Sequence, residues 1–238
     1  MNYYIATHVG LGDHILCNGL YRHFASIGES VYIPCRRIYY HSVRRMLQDL
    51  SNVTVVPYSD LLIDPMIRSH RRYLEKRSYK SINLGIFGEK FYENPTIRYD
   101  HKFYQQAGVS FDLRWSNFRF PRNSYLEDQL YGYLVGPKTD YIFLHEDKIR
   151  GYTIDRSQIP DDCAIVEPDQ FAPYGNFFNY TKILEGAREI HCIESSFAAL
   201  IESLDVRTPK YAHRYARPEA KSSYFHEFTY RSNWNIVS

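Results

Sequence analysis

Residues 5–25 read Ile-Ala-Thr-His-Val-Gly-Leu-Gly-Asp-His-Ile-Leu-Cys-Asn-Gly-Leu-Tyr-Arg-His-Phe-Ala, and the reading of this stretch decides the fold. The apolar run from Tyr3 to Val9 has the length of a buried strand. Gly10 and Gly12 permit a tight turn, and Ile15, Leu16, Leu20 and Phe24 then recur at helical spacing, so one amphipathic helix is expected to follow. A strand, a glycine turn and a helix opened by an acid bring a helix N-terminus to the carboxyl end of the strand, where α/β proteins bind ligands.

Two common nucleotide loops fail here. A dinucleotide fingerprint needs a third glycine at position 15, where Ile15 stands, and the Gly-Lys-Ser/Thr of a Walker loop is absent.

The rest of the chain extends the α/β pattern. Val31–Cys35 and Val53–Val56 read as strands around a helix over Tyr39–Leu50 with Val43, Met46, Leu47 and Leu50 on one face. A basic helix-like stretch, Ile67–Tyr79, precedes a strand over Ile82–Phe87 and a helix over Tyr99–Ala107. Pro121-Arg122 and the polar residues after it read as a hinge, followed by a helix over Ser124–Leu134. A second series then runs through strands Tyr141–Leu144 and Ala164–Val166, helix Asn176–Ala187, strand Glu189–Ile193, helix Ser196–Leu204 and strand Lys210–His213. The expectation is two small Rossmann-like α/β lobes, residues 1–120 and 121–238, with a cleft between them.

Composition narrows the function. The 238 residues can bury a real core, and 29 Lys and Arg nearly balance 27 Asp and Glu, so net charge does not favour a nonspecific nucleic-acid binder. The 23 tyrosines and 14 phenylalanines suit sugar stacking and interfaces as well as a core. Cys17, Cys35, Cys163 and Cys192 show no Cys-x-x-Cys spacing and read as buried free thiols in a reducing compartment. No leader pattern opens the sequence and no apolar run nears the ~18 residues of a membrane span, which leads to the expectation of a soluble, cytoplasmic protein.

Three stretches carry residues suited to chemistry. Gly10-Leu11-Gly12-Asp13 opens the first helix; Asp13 either caps that helix or acts as a general base, and His8 and His14 are the competing bases. In Tyr141-Ile-Phe-Leu-His145-Glu146-Asp147-Lys148-Ile-Arg150-Gly151, with Arg156 beyond, a strand delivers polar groups to one end of the second lobe. Lys148, Arg150 and Arg156 could neutralise a departing diphosphate, or form local salt bridges on a solvated loop. In His191-Cys-Ile-Glu194-Ser195-Ser196, a strand ends in an acid and two serines that open an apolar helix. Hydroxyls and unpaired amides there can hold a diphosphate, and the competing reading is an ordinary serine N-cap.

The first loop resembles that of heptosyltransferase-type (family 9) glycosyltransferases. The Glu194-Ser195-Ser196 turn is similar to the donor turn shared by heptosyltransferases and the fucosyltransferase group of nodulation and O-fucosylation enzymes. The resemblance implies a GT-B fold, an acceptor-side N-terminal lobe in which Asp13 is the base, and a C-terminal lobe that binds a nucleotide diphosphate sugar. It implies a metal-independent, inverting transfer of a hexosyl or deoxyhexosyl group to a hydroxyl of a glycan or glycoconjugate, with no cofactor beyond the sugar nucleotide. Catalysis is then assigned to Asp13 and His14, and donor binding to Gly10, Gly12, His145, Lys148, Arg150, Arg156, Glu194, Ser195 and Ser196. The chain lacks the usual Asp-x-Gly donor turn of heptosyltransferases and their greater length.

Other stretches point in different directions. The run Arg68-Ser-His-Arg71-Arg72-Tyr-Leu-Glu-Lys76-Arg77-Ser-Tyr-Lys80 fits a docking surface for an anionic acceptor, with peripheral membrane contact through residues 67–80, or a solvated helix face. Glu167-Pro168-Asp169 after an apolar strand looks like a metal-binding GT-A motif but lacks its first aspartate, which favours a turn at Pro168. Ten histidines show no zinc-site spacing, and no metal is expected. Arg36 and Arg37 after the second strand leave open an NADP-dependent oxidoreductase, and a noncatalytic nucleotide- or carbohydrate-binding protein is the remaining alternative.

Overall fold

The computed structural model describes residues 1–7, 10–88, 97–138, 140–217 and 229–238. The chain divides into two compact units, Met1–Pro121 and Arg122–Ser238.

The first unit is built on a four-stranded parallel sheet in the order β3-β2-β1-β4, with β1 at Asn2–Ala6, β2 at Ser30–Arg36, β3 at Val53–Tyr58 and β4 at Tyr79–Asn83. Tyr4, Ile5 and Ala6 are fully buried, as an inner strand of a parallel sheet requires. The single helix expected after Gly12 is two helices, α1 (Leu11–Leu16) and α2 (Asn18–Ile27), that meet at Cys17. Asn18 explains the break, because its side chain is drawn out of the helix to bond the Arg119 backbone through both its oxygen and its amide. Arg22 on α2 is buried, and its guanidinium forms a bidentate pair with Asp49.

The remaining helices of this unit are α3 (Tyr40–Met46), α4 (Ile63–Glu75), α5 (Tyr99–Ala107) and α6 (Leu113–Ser116). A Cβ on Gly19 would stand 1.9 Å from the Leu113 carbonyl oxygen, so only glycine lets α2 and α6 approach this closely. Arg114 on α6 and Asp100 on α5 form a fully buried ion pair.

Several boundaries differ from those read in the sequence. The helix expected over 67–79 starts at Ile63 and ends at Glu75, because Asp64 and Pro65 suit a first turn and Ser78 adopts a positive φ of 63°. The strand expected over 82–87 lies at Tyr79–Asn83, and Gly85, with φ 61°, turns the chain away after it. The helix expected over 39–50 runs as α3 from Tyr40 and stops at Met46, losing its last turn.

The second unit carries a five-stranded parallel sheet in the order β6-β5-β7-β8-β9. Its strands are β5 (Tyr141–His145), β6 (Ala164–Val166), β7 (Glu189–Cys192), β8 (Lys210–His213) and β9 (Trp234–Val237). The helices are α7 (Ser124–Leu134), α8 (Thr181–Gly186) and α9 (Ser196–Ser203); residues 177–180, expected as α-helix, form a tighter 3₁₀ turn instead. On α9, Glu202 is buried and accepts hydrogen bonds from the Arg231 and Ser232 amides, the Ser232 hydroxyl and the Trp234 indole. Two parallel α/β units in series are the fold class the sequence leads one to expect.

Candidate functional site

Strand order locates the ligand edge of each unit. In the second, β5 pairs with β6 on one side and β7 on the other, so the crossovers leave β5 in opposite directions and the switch point lies between the carboxyl ends of β5 and β7. Open α/β sheets bind ligands at such points. His145 ends β5 opposite Cys192, and the Ile193 amide donates to the His145 carbonyl at 3.1 Å, which fixes both chains where the turn into α9 begins.

Ser195 occupies the N-cap position of α9 in an extended conformation, yet its side chain makes no capping bond. Its hydroxyl turns instead to His145, with Oγ 3.1 Å from Nδ1. The ordinary-cap reading is therefore set aside by geometry. Elsewhere in this unit capping side chains do cap: Asn123 Oδ1 accepts from the Leu126 amide at 3.1 Å, and Asn176 Oδ1 from the Phe178 amide at 3.1 Å. The first-turn amides of α9 have no intrahelical acceptor and no serine cap, which leaves a positive helix end at the switch point. Ser196 is the first helical residue there.

His145 lies against the Phe197 ring, with centroids 4.7 Å apart, and Phe197 in turn packs on Phe143, Phe177 and Tyr180. Burial pushes the imidazole down to about 4, and Arg150 adds to that while Asp147 and Glu167 oppose it. The ring is thus neutral near pH 7.

The charged residues beyond β5 compensate one another. Lys148 Nζ lies 2.6 Å from Glu167 and 3.4 Å from Glu146, and Arg156 bridges the same two carboxylates at 2.7 and 2.8 Å. Arg150 pairs with Asp147 at 2.7 Å. The expected cluster of fixed cations is a neutral network whose basic side chains are about half exposed. Glu194 is buried; it accepts from the Tyr230 hydroxyl at 3.0 Å, and its backbone carbonyl accepts from Arg217. The structure therefore commits it to the interior of the unit rather than to the turn's open side.

Glu167 and Asp169 do not form a metal pair. Glu167 belongs to the ion-pair network, and Asp169 accepts from the Phe171 amide at 2.8 Å within the turn after Pro168. Among the described residues no group of three or more His, Cys, Asp or Glu side chains is placed to hold one metal ion.

In the first unit the switch point lies between β1 and β4, and Asp13 sits on the loop and helix that leave β1. Asp13 is half-buried, and its Oδ2 accepts from the Gly10 amide at 3.2 Å, so it does cap the loop. Gly10 and Gly12 are both partly accessible. His14 is fully buried, with Nδ1 2.9 Å from the Tyr21 hydroxyl, and burial pushes it down to about 3. That position sets the ring inside the unit, away from solvent. His8 lies outside the described residues.

A feature missed in the sequence is a cavity of about 640 Å³ at the carboxyl ends of β2 and β3, lined by Arg37, Tyr58, Ser59, Asp60, Leu61 and Met66 among others. Tyr58 is hydrogen-bonded to His70, and Asp60 lies 3.3 Å from Arg36. The only sequence signal was the Arg36-Arg37 pair, read for another ligand. On α4 and just beyond it, Arg68, Arg72 and Lys76 are exposed, while Arg71 bonds Asn83 and Arg77 lies over the Tyr73 ring. No helix among the described residues is long and apolar enough to cross a membrane.

No protein-family model matches the chain, and no curated protein matches it. Among solved structures, a glycosyl transferase family 9 protein from Veillonella parvula DSM 2008 matches at a TM-score of 0.59, over 99% of this chain and 85% of that one, with 9% identity. The E. coli heptosyltransferase WaaC also matches, at 13% identity over 100% of this chain and 93% of that one, with TM-scores of 0.44 for its structure with ADP-2-deoxy-2-fluoro heptose and 0.46 for that with ADP. The Veillonella likeness shows a shared fold of two parallel α/β units.

Proposed function

We propose that the chain is a glycosyltransferase that moves a sugar from a nucleotide diphosphate sugar to a hydroxyl of a glycan or glycoconjugate, with inversion and without a metal ion. The observation that carries this reading is the uncapped start of α9 at the switch point of the second sheet, with the Ser195 hydroxyl turned to His145. The fold it shares with a family 9 structure supports it.

In this reading the donor diphosphate lies on the α9 amides and the hydroxyls of Ser195 and Ser196, since a helix N-terminus favours an anion. Lys148 and Arg156 exchange a carboxylate partner for a phosphate oxygen as charge builds on the leaving group, at small cost for side chains this exposed. The first unit takes the acceptor. Asp13 accepts the proton of the attacking hydroxyl while that oxygen bonds to the anomeric carbon from the face opposite the departing diphosphate, which gives inversion. The cavity beside β2 and β3 takes the rest of the acceptor, and the exposed cations of α4 hold an anionic acceptor or membrane surface. A cytoplasmic location fits an enzyme that draws on nucleotide sugars.

Hydrolysis of a panel of nucleotide sugars by the purified protein, with and without EDTA, tests the reading. Slow, EDTA-resistant release of one nucleoside diphosphate is expected, because transferases leak sugar to water when no acceptor is present. Binding without any release favours a noncatalytic binding protein, and release that requires a divalent ion removes the metal-independent mechanism.

A further inference from the structure

The contact between Ser195 and His145 has two states that differ in what the serine can do. When Nδ1 carries no proton, the Ser195 hydroxyl must donate to it, and its single proton points away from the helix end. When Nδ1 carries a proton, either as the neutral Nδ1–H tautomer or as the imidazolium, the ring donates to Oγ and the hydroxyl proton is released for another acceptor; only the imidazolium adds a proton to the ring, and net uptake on binding tells the two apart. The second state turns Ser195 into a donor beside the unpaired amides of α9; the first turns it into an acceptor toward any group it still meets there, which repels an anion.

The ring cannot easily leave this geometry. The backbone bond from Ile193 holds the His145 carbonyl, the Phe197 ring packs against the imidazole from the first turn of α9, and Ser195 closes the side toward the helix start. The charged groups that act on it are Asp147 and Arg150, on the turn after β5, and Glu167, after β6. Asp147 is held below its ordinary range, its burial outweighed by bonds from Arg150, and Glu167 likewise by Lys148 and Arg156, so both stay ionised well into the acid range. A dianion arriving at the helix end adds negative charge on the Ser195 side of the ring.

We propose that His145 is a proton-responsive positioning residue: it takes up a proton from solvent when the diphosphate of a nucleotide sugar reaches the start of α9, and its Nδ1–H then holds Ser195 with the hydroxyl donating to a phosphate oxygen. The proposal rests on the donor reading above and adds to it a coupling between donor binding and protonation. The ring starts neutral, because burial pushes it down to about 4, so the uptake is visible in mildly acidic solution.

The test is calorimetric titration with ADP-glucose, UDP-glucose and GDP-mannose at pH 5.5 in two buffers of different ionisation enthalpy. These diphosphate diesters do not themselves titrate near that pH, so net proton exchange belongs to the protein. The expected result is uptake of about 0.5 to 1 proton per ligand bound. Ser195→Thr keeps the hydroxyl and keeps the uptake; Ser195→Ala, at a half-exposed position, cuts it by at least half and weakens binding roughly tenfold, the scale of one hydrogen bond to a charged group. His145→Gln binds with an affinity that no longer changes between pH 5.5 and 8. Binding with no uptake by the wild-type protein, or equal uptake by Ser195→Ala, overturns the proposal and leaves the donor reading standing. Failure of all three ligands to bind removes the donor reading and the proposal with it.

Discussion

The Asp13 carboxylate receives the Gly10 amide across a gap that a side chain would fill: a Cβ on residue 10 would lie 2.8 Å from Asp13 Oδ2. Cap and proposed base are thus one group, and the two roles separate by substitution. Asp13→Asn keeps an oxygen for the Gly10 amide, so the melting temperature stays within a few degrees, while turnover drops at least ~100-fold for loss of a general base. Gly10→Ala forces the carboxylate aside and loses turnover with Asp13 still present. Donor Kd is unchanged in Asp13→Asn. Near-normal turnover of Asp13→Asn would reduce the residue to its capping role, worth about 1 kcal/mol.

The neutral network beyond β5 makes a prediction of opposite sign for acid and base. Glu167→Gln removes one of the two carboxylates that hold Lys148 and Arg156, so donor affinity should rise several-fold if those cations serve the diphosphate. Arg156→Ala should weaken it roughly tenfold. Both variants should keep their stability to within about 1 kcal/mol, as expected of exposed ion pairs. Unchanged donor Kd in both would leave the network as surface salt bridges.

Acid should destabilise the fold before carboxylates titrate. Burial pushes His14 down to about 3 and His145 and His213 down to about 4, all below the ordinary histidine value. In the unfolded chain these rings gain protons near pH 6.5 that the folded protein refuses, so unfolding takes up protons between about pH 6.5 and 4. Stability is full above that window and falls as pH drops through it. Melting temperatures recorded from pH 8 to 4.5 in the absence of ligand should decline steadily below pH 6.5; a flat profile down to pH 5 would contradict this.

The pair of Arg114 and Asp100 is fully buried, and its loss should be severe. Arg114→Met takes the guanidinium away from a buried carboxylate, at a cost of about 3–5 kcal/mol in urea unfolding. The double variant Arg114→Met/Asp100→Leu should recover part of that loss, because it removes the buried carboxylate too.

Much of the architecture was legible because parallel strands announce themselves as short apolar runs. Tyr141–His145 and Tyr3–Ala6 are buried almost throughout, and no other element fits them. β9 was missed because Trp-Asn-Ile-Val is short and half-exposed, and its place depends on Glu202 seizing residues 231–234 from another element. The helix break at Cys17 was invisible for the same reason, since Asn18 is drawn to Arg119, about a hundred residues away in sequence. At the site, Ser195 and His145 were both singled out, in separate stretches. Their contact needed the register of β5 on β7, which sequence spacing does not encode. The partner of Glu194 was hidden for a like reason, since Tyr230 comes from the far end of the unit.

Helix α9 is gripped at both ends. Its start meets His145, and near its end Glu202 accepts hydrogen bonds from two backbone amides, a hydroxyl and an indole of residues 231–234. A peptidase that clipped that closing segment, or a partner that peeled β9 from the sheet edge, would strand a carboxylate in the interior and unseat the helix from below. The end that meets His145 would then fail without having been touched, which makes β9 the safety catch of the second unit.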